Sequence, residues 1–131
     1  MPLSHRIWRR DFPGFPGMPE YMEIFPECDR IVVISPLQKD HTRYVAIVMA
    51  YEEPEPGSVR TRVRPEFDWS ECTYRMEGET INWTWSGKEW PWEPISDEEL
   101  PGWFRGFDTR ARQRFDEREA AAAVRKVDGV P

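Results

Sequence analysis

The sequence predicts an α+β domain in which an antiparallel sheet of four to six strands, with an aromatic core, carries a C-terminal α-helix packed on it. Three observations favour this fold class. Short apolar or alternating segments, separated by Pro- and Gly-containing turns, run between residues 24 and 86. Five of the seven tryptophans lie between Trp69 and Trp92 and supply much apolar area. The segment with the highest helix propensity follows near the C-terminus, and 131 residues suit a single domain.

The N-terminal residues 1–23 are predicted to form an irregular arm rich in Pro, Gly and Phe. The segment Phe12–Pro19 nearly repeats Phe-Pro-Gly, and these residue types oppose a helix and favour turns or extended backbone. The phenylalanine side chains are expected to cover apolar surface of the domain or to lie in a groove of a partner.

Five segments predict the strands of the sheet. They are Ile31–Ile34, which is wholly apolar and β-branched, Arg43–Glu52, which is long and apolar on both faces, the alternating Ser58–Val63, and the hairpin strands Glu71–Met76 and Thr80–Trp85. Arg60 and Arg62 of the third segment, with Arg64 directly after it, would form a row on one face, which cross-strand ion pairs or an anion site would explain.

The alternation of the hairpin also predicts which of its side chains face the core. One face carries Cys72, Tyr74, Met76, Ile81, Trp83 and Trp85. The opposite face is polar, and the turn between the strands is Glu77-Gly78-Glu79.

The region after the hairpin is predicted to hold a loop and two helices. Residues 87–95 form the loop, because prolines interrupt this Trp-rich segment. Helices occupy residues 96–126: a short one begins at the Ser96–Glu99 capping box, and a longer one follows Asp108. The polar composition of the longer helix indicates that only its first half packs on the domain.

The predicted domain organisation is therefore simple. One α+β domain spans residues 24–126, with its sheet in residues 24–86, and residues 127–131 form a tail.

Composition excludes several classes of partner. The net charge is −6, and residues 11–99 hold nineteen acidic against eight basic side chains, so direct nucleic-acid binding is not expected. No apolar run approaches the length of a membrane span, and no secretory signal is recognised. We therefore expect a cytoplasmic protein whose Cys28 and Cys72 are free thiols, although a disulfide between them remains an alternative.

Motifs for catalysis, cofactors or metals are not recognised in the sequence. His5, His41 and the two cysteines show no short metal-ligand spacing. Neither a nucleophile motif nor a phosphate-binding glycine motif occurs. We expect no cofactor, no metal site and no catalytic residues, although carboxylate pairs near the tryptophans leave a modest enzyme open.

The first functional hypothesis is a non-enzymatic, acidic protein-interaction module, such as an inhibitor or immunity-type protein, for example one derived from a phage. It would dock on a basic partner surface, for example one that binds nucleic acid, because acidic residues at the edge of an interface select partners and exposed aromatic residues anchor them. The predicted interaction surface comprises Glu52, Glu53, Glu55, Glu66, Asp68, Trp90, Trp92, Asp97, Glu98 and Glu99.

The alternative hypothesis is a small-molecule binding protein or a modest enzyme, with an aromatic pocket in a curved antiparallel sheet. That pocket would be lined by Tyr44, Tyr74, Trp83, Trp85, His41 and Arg62. A structural subunit of a larger assembly is a third possibility, and the oligomeric state stays open. A concave aromatic cluster with a convergent charged group would favour ligand binding, whereas solidly packed Trp83 and Trp85 with exposed Trp90 and Trp92 would favour protein interaction.

Overall fold

The chain forms a closed barrel of eight antiparallel strands with one long helix packed on its outer wall. This computed structural model describes residues 3–12, 14–37 and 43–127. The elements are β1 (Arg6–Phe12), β2 (Phe15–Phe25), β3 (Arg30–Pro36), β4 (Tyr44–Glu55), β5 (Ser58–Arg62), β6 (Ser70–Glu77), β7 (Thr80–Trp85), β8 (Lys88–Ile95), a 3-10 turn (Asp97–Glu99) and α1 (Phe104–Val127). Each strand pairs with the next, and β1 also pairs with β8.

The predicted fold class, α+β with a sheet of four to six strands, is wrong. The five predicted strands are present as β3 to β7, and the helix does pack on the sheet. Three further strands lie where irregular structure was expected. β1 and β2 occupy most of the predicted arm, residues 1–23, and β8 occupies the predicted loop, residues 87–95. These three strands close the sheet on itself, so the molecule is mostly barrel.

Prolines caused this error, and the register shows how the barrel accommodates them. The pairing of β2 with β3 covers Tyr21–Phe25, so Pro19 lies in a stretch of β2 whose register partner is on β1. Pro91 of β8 is opposite a residue of β7, whereas Pro94 is opposite a residue of β1. A proline has no N–H to donate, and it is tolerated where a strand has a partner on one side.

Strand alternation divides the side chains between the barrel interior and its outer wall. The buried interior cluster consists of Trp8, Met22, Ile24, Ile31, Met49, Tyr51, Val59, Cys72, Tyr74, Ile81, Trp83 and Trp92. A second buried cluster joins the outer face of β2, β3 and β4 to α1. Among helix residues 104–122, whose burial is described, the buried apolar ones are Phe104, Ala111 and Phe115.

The helix packs on the barrel through its first half, as predicted. From Asp116 to Ala122 its residues are exposed or half-buried. The helix begins at Phe104 and not after Asp108, whose carboxyl group is buried beneath the first turns. The predicted helix at Ser96–Glu99 is a 3-10 turn, although the Ser96 hydroxyl does donate to Glu99 Oε1 at 3.3 Å.

Because each strand pairs with the next one along the chain, successive connections alternate between the two ends of the barrel. The β2–β3, β4–β5 and β6–β7 turns lie at one end, together with the N-terminal segment Leu3–His5, which precedes β1. The β5–β6 and β7–β8 connections lie at the other end, together with the strand ends Phe12, Phe15, Pro36 and Tyr44. Across the described part of the chain, no helix has the length and apolar character needed to cross a membrane.

Candidate functional site

The middle of the barrel is filled by aromatic side chains. The rings of Tyr74 and Trp83 stack at 5.6 Å with an angle of 12° between their planes. Cys72 lies in the same cluster, and burial raises the pKa of its thiol to about 11. At neutral pH the thiol is therefore protonated and acts as a small apolar side chain. An eight-stranded barrel is just wide enough to be filled in this way or to hold one small ligand.

One end of the barrel is closed by the N-terminal segment, and we call it the plugged end. Leu3 packs against the interior cluster, and its backbone N–H donates to Glu53 Oε1 at 2.9 Å. The other oxygen of Glu53 accepts from the Tyr74 hydroxyl and from the Gly57 N–H. Burial and the bond to Glu53 raise the pKa of Tyr74. Glu53 therefore ties together three parts of this end.

A cavity of about 170 Å³ remains at the plugged end. It is lined by Leu3, Ser4, Arg6, Trp8, Tyr74, Met76 and Ile81. Met76 was expected in the core but is 48% exposed at the edge of this cavity. The cavity holds only a few water molecules, and the N-terminal segment forms part of its wall.

The opposite end leaves large apolar side chains exposed, and we call it the open end. Three residues form its apolar rim: Val45, Ile47 and Trp85, with exposed fractions of 40%, 47% and 38%. By strand alternation they lie on the same side as the interior residues Met49 and Trp83. Trp85 was expected in the core, and its exposure corrects that prediction. Val63, which is 37% exposed, follows the end of β5 and lies beside Phe115 of the helix, so it is not part of the rim. The rim is apolar and solvent-accessible.

A shielded ion pair lies beside the rim. Arg10 Nε donates to Glu20 Oε1 at 2.7 Å, and the Ser35 hydroxyl donates to the other Glu20 oxygen. The side chains of Arg10 and Glu20 are 18% and 8% exposed. In the strand register Arg10 is opposite Glu20, and Ser35 is opposite Val45. The ion pair and the rim therefore occupy neighbouring positions across β1 to β4.

Tryptophan rings hold the guanidinium group of the shielded ion pair in place. Its central carbon lies 4.6 Å from the ring centroid of Trp90 and 4.8 Å from that of Trp92. Such contacts stabilise a cation most where water is excluded. Trp90 is half-buried and Trp92 is buried. Both residues therefore support Arg10 from β8, the strand that was predicted to be a loop.

A second polar cluster lies between the barrel wall and the helix, and we call it the helix seam. Glu23 and Asp108 each have a fully buried side chain. Arg105 Nη1 donates to both oxygens of Glu23 at 2.9 and 3.0 Å, and Arg112 Nε donates to Asp108 at 3.3 Å. His5 Nε2 lies 2.8 Å from Glu23 Oε2, which links the N-terminal segment to the seam. This cluster fastens the helix and the N-terminal segment to the barrel.

Burial raises the pKa of Asp108 from 3.8 to about 6. The neighbouring negative charge of Glu23 acts in the same direction, whereas Arg112 opposes it. Two buried carboxyl groups side by side favour a shared proton over two charges. The seam is covered by the helix and offers no apolar mouth, so we assign it a structural role.

A groove of about 490 Å³ crosses the outer face of β5, β6 and β7. Its floor and walls include the hydroxyl groups of Ser58, Thr73, Thr84 and Ser86. Arg60, opposite Glu71 in the register, contributes to one wall and is paired with Glu52 of the adjacent strand. The arginine row on this face is thus held in part by a cross-strand ion pair.

Five of the six residues of the predicted aromatic pocket are described, and these five do not line one cavity. Tyr74 and Trp83 lie together inside the barrel, and Trp85 lies at the rim. Tyr44 packs on the outer wall against Trp103, with ring centroids 4.7 Å apart. The guanidinium of Arg62 lies 4.6 Å from the ring centroid of Trp69, also outside the interior cluster. His41 lies outside the described residues.

The predicted interaction residues are spread over the molecule. Three of the carboxylates form ion pairs: Glu52 with Arg60, Glu66 with Arg64 and Asp97 with Arg105. Glu53 accepts hydrogen bonds at the plugged end, and Trp90 and Trp92 contact Arg10. The other four, Glu55, Asp68, Glu98 and Glu99, are exposed. Several of these carboxylates are thus neutralised by arginines of the same chain.

Sequence reasoning missed the shielded ion pair and the helix seam. Arg10 and Glu20 lie in the segment that was predicted to be irregular, so no face was assigned to them. The signal was nevertheless present, because Arg10 follows Trp8 by two residues and Glu20 precedes Met22 by two. Positions two apart on a strand share a face.

Within residues 3–12, 14–37 and 43–127, no group of three or more His, Cys, Asp or Glu side chains is placed to hold a metal ion. Comparison with protein-family models, curated proteins and solved structures found no match to this chain. Inference about function therefore has to start from the barrel and its open end.

Proposed function

We propose that this protein binds a small apolar molecule at the open end of its barrel. The observation that carries the proposal is the apolar rim: three large apolar side chains that the strand alternation directs to the barrel interior are 38–47% exposed. Apolar side chains grouped at a concave site, with a few polar groups nearby, are typical of ligand sites. A ligand that covers these apolar side chains removes them from water, and this burial contributes favourable free energy to binding.

The shielded ion pair supplies the polar group of such a site. Arg10 and Glu20 are held by each other, by Ser35 and by two tryptophan rings. Their geometry is therefore set before a ligand arrives, and preorganised polar groups lower the entropy cost of binding. The plugged end lacks this combination, because its apolar interior is covered by Leu3 and its carboxylate Glu53 is used by the plug.

The test is a fluorescence titration with N-phenyl-1-naphthylamine, an uncharged apolar probe that becomes bright in an apolar site. We expect saturable binding to the wild type. Ile47→Asn should weaken binding by about tenfold or more, because burial of one large aliphatic side chain contributes about 1.5–3 kcal/mol. Met76→Asn is the matched control, since Met76 is 48% exposed at the plugged end and Ile47 is 47% exposed at the open end.

Two outcomes would contradict the proposal. One is absence of saturable probe binding to the wild type. The other is equal weakening by the two variants, which would place the probe away from the open end. Circular dichroism of each variant establishes that it is folded.

A second candidate function is the acidic interaction module, in which the protein inhibits a partner by docking on its basic surface. The segment Glu66–Asp68 favours it, because Phe67 is 52% exposed and lies between two exposed carboxylates. An aromatic anchor with an acidic surround suits a basic protein surface. We limit the candidate surface to this loop because its carboxylates adjoin an exposed aromatic side chain, although Glu66, like Glu52 and Asp97, pairs with an arginine of this chain.

The second candidate is tested by affinity capture from extract at low and high salt. A partner of this surface should be released as salt rises. It should also be lost with the double variant Glu66→Lys, Asp68→Lys and retained with Glu98→Lys, an exposed acid outside the loop. Retention by both variants would rule out this surface, and so would capture of no protein.

A further inference from the structure

The charges shielded at the open end cancel each other. Among the described residues on the interior side of the strands, Arg10 and Glu20 are the shielded ionisable pair near the rim. Each has its partner at 2.7 Å. Exposed charges on the loops around the rim are screened by salt, whereas this pair is screened much less. Lys88 is opposite Trp85 in the register and lies on the same side of the sheet, but it is exposed, so its charge is also screened by salt. The shielded charges that a bound ligand meets are therefore those of a neutral pair.

A charged ligand group would disturb this balance. A carboxylate that approached Arg10 would lie beside the Glu20 carboxylate, which is held in place by Arg10 and Ser35. If it displaced Glu20, it would leave a shielded carboxylate without its cation, and this is strongly unfavourable. A ligand cation meets the same difficulty with the roles of Arg10 and Glu20 exchanged.

An uncharged polar group can bind without separating the pair. A guanidinium has five N–H donors, and the hydrogen bond found for Arg10 within the described part of the chain uses only the Nε–H. A hydroxyl or carbonyl oxygen can accept from a terminal nitrogen of Arg10 while the bond to Glu20 is kept. The hydrocarbon part of the same ligand can then cover the apolar rim.

From this charge balance, and building on the proposed function, we infer that the open end selects uncharged amphiphiles, such as long-chain alcohols or ketones, over carboxylates and amines of the same chain length. Glu20 is the specificity-determining residue. It keeps Arg10 in place and repels a ligand carboxylate.

The experiment compares decanol, decanoate and decylammonium as competitors of N-phenyl-1-naphthylamine, at about pH 8, where both ions are charged, and at about 0.15 M salt. The wild type should bind decanol at least about tenfold more tightly than either ion, because like charges placed side by side are strongly unfavourable. Glu20→Gln should strengthen decanoate binding and leave decanol binding within about threefold, because an amide removes the repulsion and frees the charge of Arg10.

The outcomes separate the inference from the proposed function. Equal binding of decanol and decanoate by the wild type would overturn the selectivity and leave the ligand site intact. Binding of neither the probe nor decanol would overturn both. If Glu20→Gln does not fold, the wild-type comparison of the three competitors decides by itself. A folded Glu20→Gln variant that still rejects decanoate would remove the role assigned to Glu20.

Discussion

The two ends of the barrel are built from the same eight strands but are finished differently. At the plugged end, Leu3 covers the interior and Glu53 accepts hydrogen bonds from three separate groups. At the open end, the apolar rim faces solvent and an ion pair lies partly shielded next to it. The difference shows where apolar side chains are covered by other parts of the chain and where they are exposed.

The contrast also separates residues that should stabilise the fold from residues that should bind a ligand. Residues of the plug and of the middle of the barrel bury their side chains against each other, so their loss should lower the free energy of unfolding. Rim residues are only partly buried in the free protein, so their loss should change ligand binding more than folding. Substitutions at paired positions in the two regions test this division.

The largest expected effect comes from two tryptophans of the same strand. Trp83 is 3% exposed in the interior cluster, whereas Trp85, two residues later, is 38% exposed at the rim. Trp83→Ala should lower the free energy of unfolding by about 3–5 kcal/mol, because it leaves a cavity in a packed core. Trp85→Ala should cost less than about 1 kcal/mol. Denaturant unfolding followed by circular dichroism measures both, and equal losses would contradict the division.

The helix seam contains buried carboxyl groups, so the free energy of unfolding should depend on pH. Burial raises the pKa of Asp108 from 3.8 to about 6, so the native state binds this proton more tightly than the unfolded chain. Its contribution to the free energy of unfolding is therefore greatest below the unfolded pKa. It falls as the pH rises from about 4 to about 6, by at most about 3 kcal/mol.

Asp108→Asn should remove this pH dependence, because the amide keeps an acceptor for Arg112 and a donor for Glu23 without titrating. Unfolding in urea between about pH 4 and pH 7 measures it. The control is Asp116→Asn, which changes a carboxylate of the same helix whose side chain is 59% exposed. The free energy of unfolding of the control should change with pH in the same way as that of the wild type. Parallel curves for all three proteins would show that the seam does not titrate in this range.

A smaller effect is expected from the plug itself. Glu53→Ala removes the acceptor of the Leu3 N–H, the Gly57 N–H and the Tyr74 hydroxyl. The free energy of unfolding should fall by about 2 kcal/mol, because partly buried donors lose a charged acceptor. Glu55→Ala, at an exposed position of the same strand, should change it by less than about 0.5 kcal/mol. If the two variants are equally stable, Glu53 does not fasten the plug.

The β6–β7 hairpin could be predicted from sequence because its information is local. Alternation assigned Tyr74 and Trp83 to one face, and Gly78 supplied the turn with a φ of 63°. The same rule failed to predict that Met76 and Trp85, at the ends of their strands, are exposed. Burial at the mouth of a barrel depends on what covers the mouth, and the strand itself does not encode that.

The closure of the barrel could not be read from local patterns. It depends on the pairing of residues 7–9 with residues 93–95, which joins the first strand to the last. Prolines in both regions favoured irregular structure. Whether a proline is tolerated in a strand depends on which side lacks a partner, and only the complete topology shows that. The shielded ion pair was missed for the same reason, because Arg10 and Glu20 meet only once β1 and β2 are recognised.

The most direct test of ligand binding at the open end is the indole N–H spectrum of ¹⁵N-labelled protein, recorded with and without saturating decanol. The seven tryptophans report from different regions. We predict that the signals of Trp85 and Trp90 shift, because these residues lie at the rim and beside the ion pair. The signals of Trp8, at the plugged end, and Trp103, on the outer wall, should stay in place. A shift of Trp8 without Trp85, or no shift at all, would contradict the assignment of the open end as the binding site.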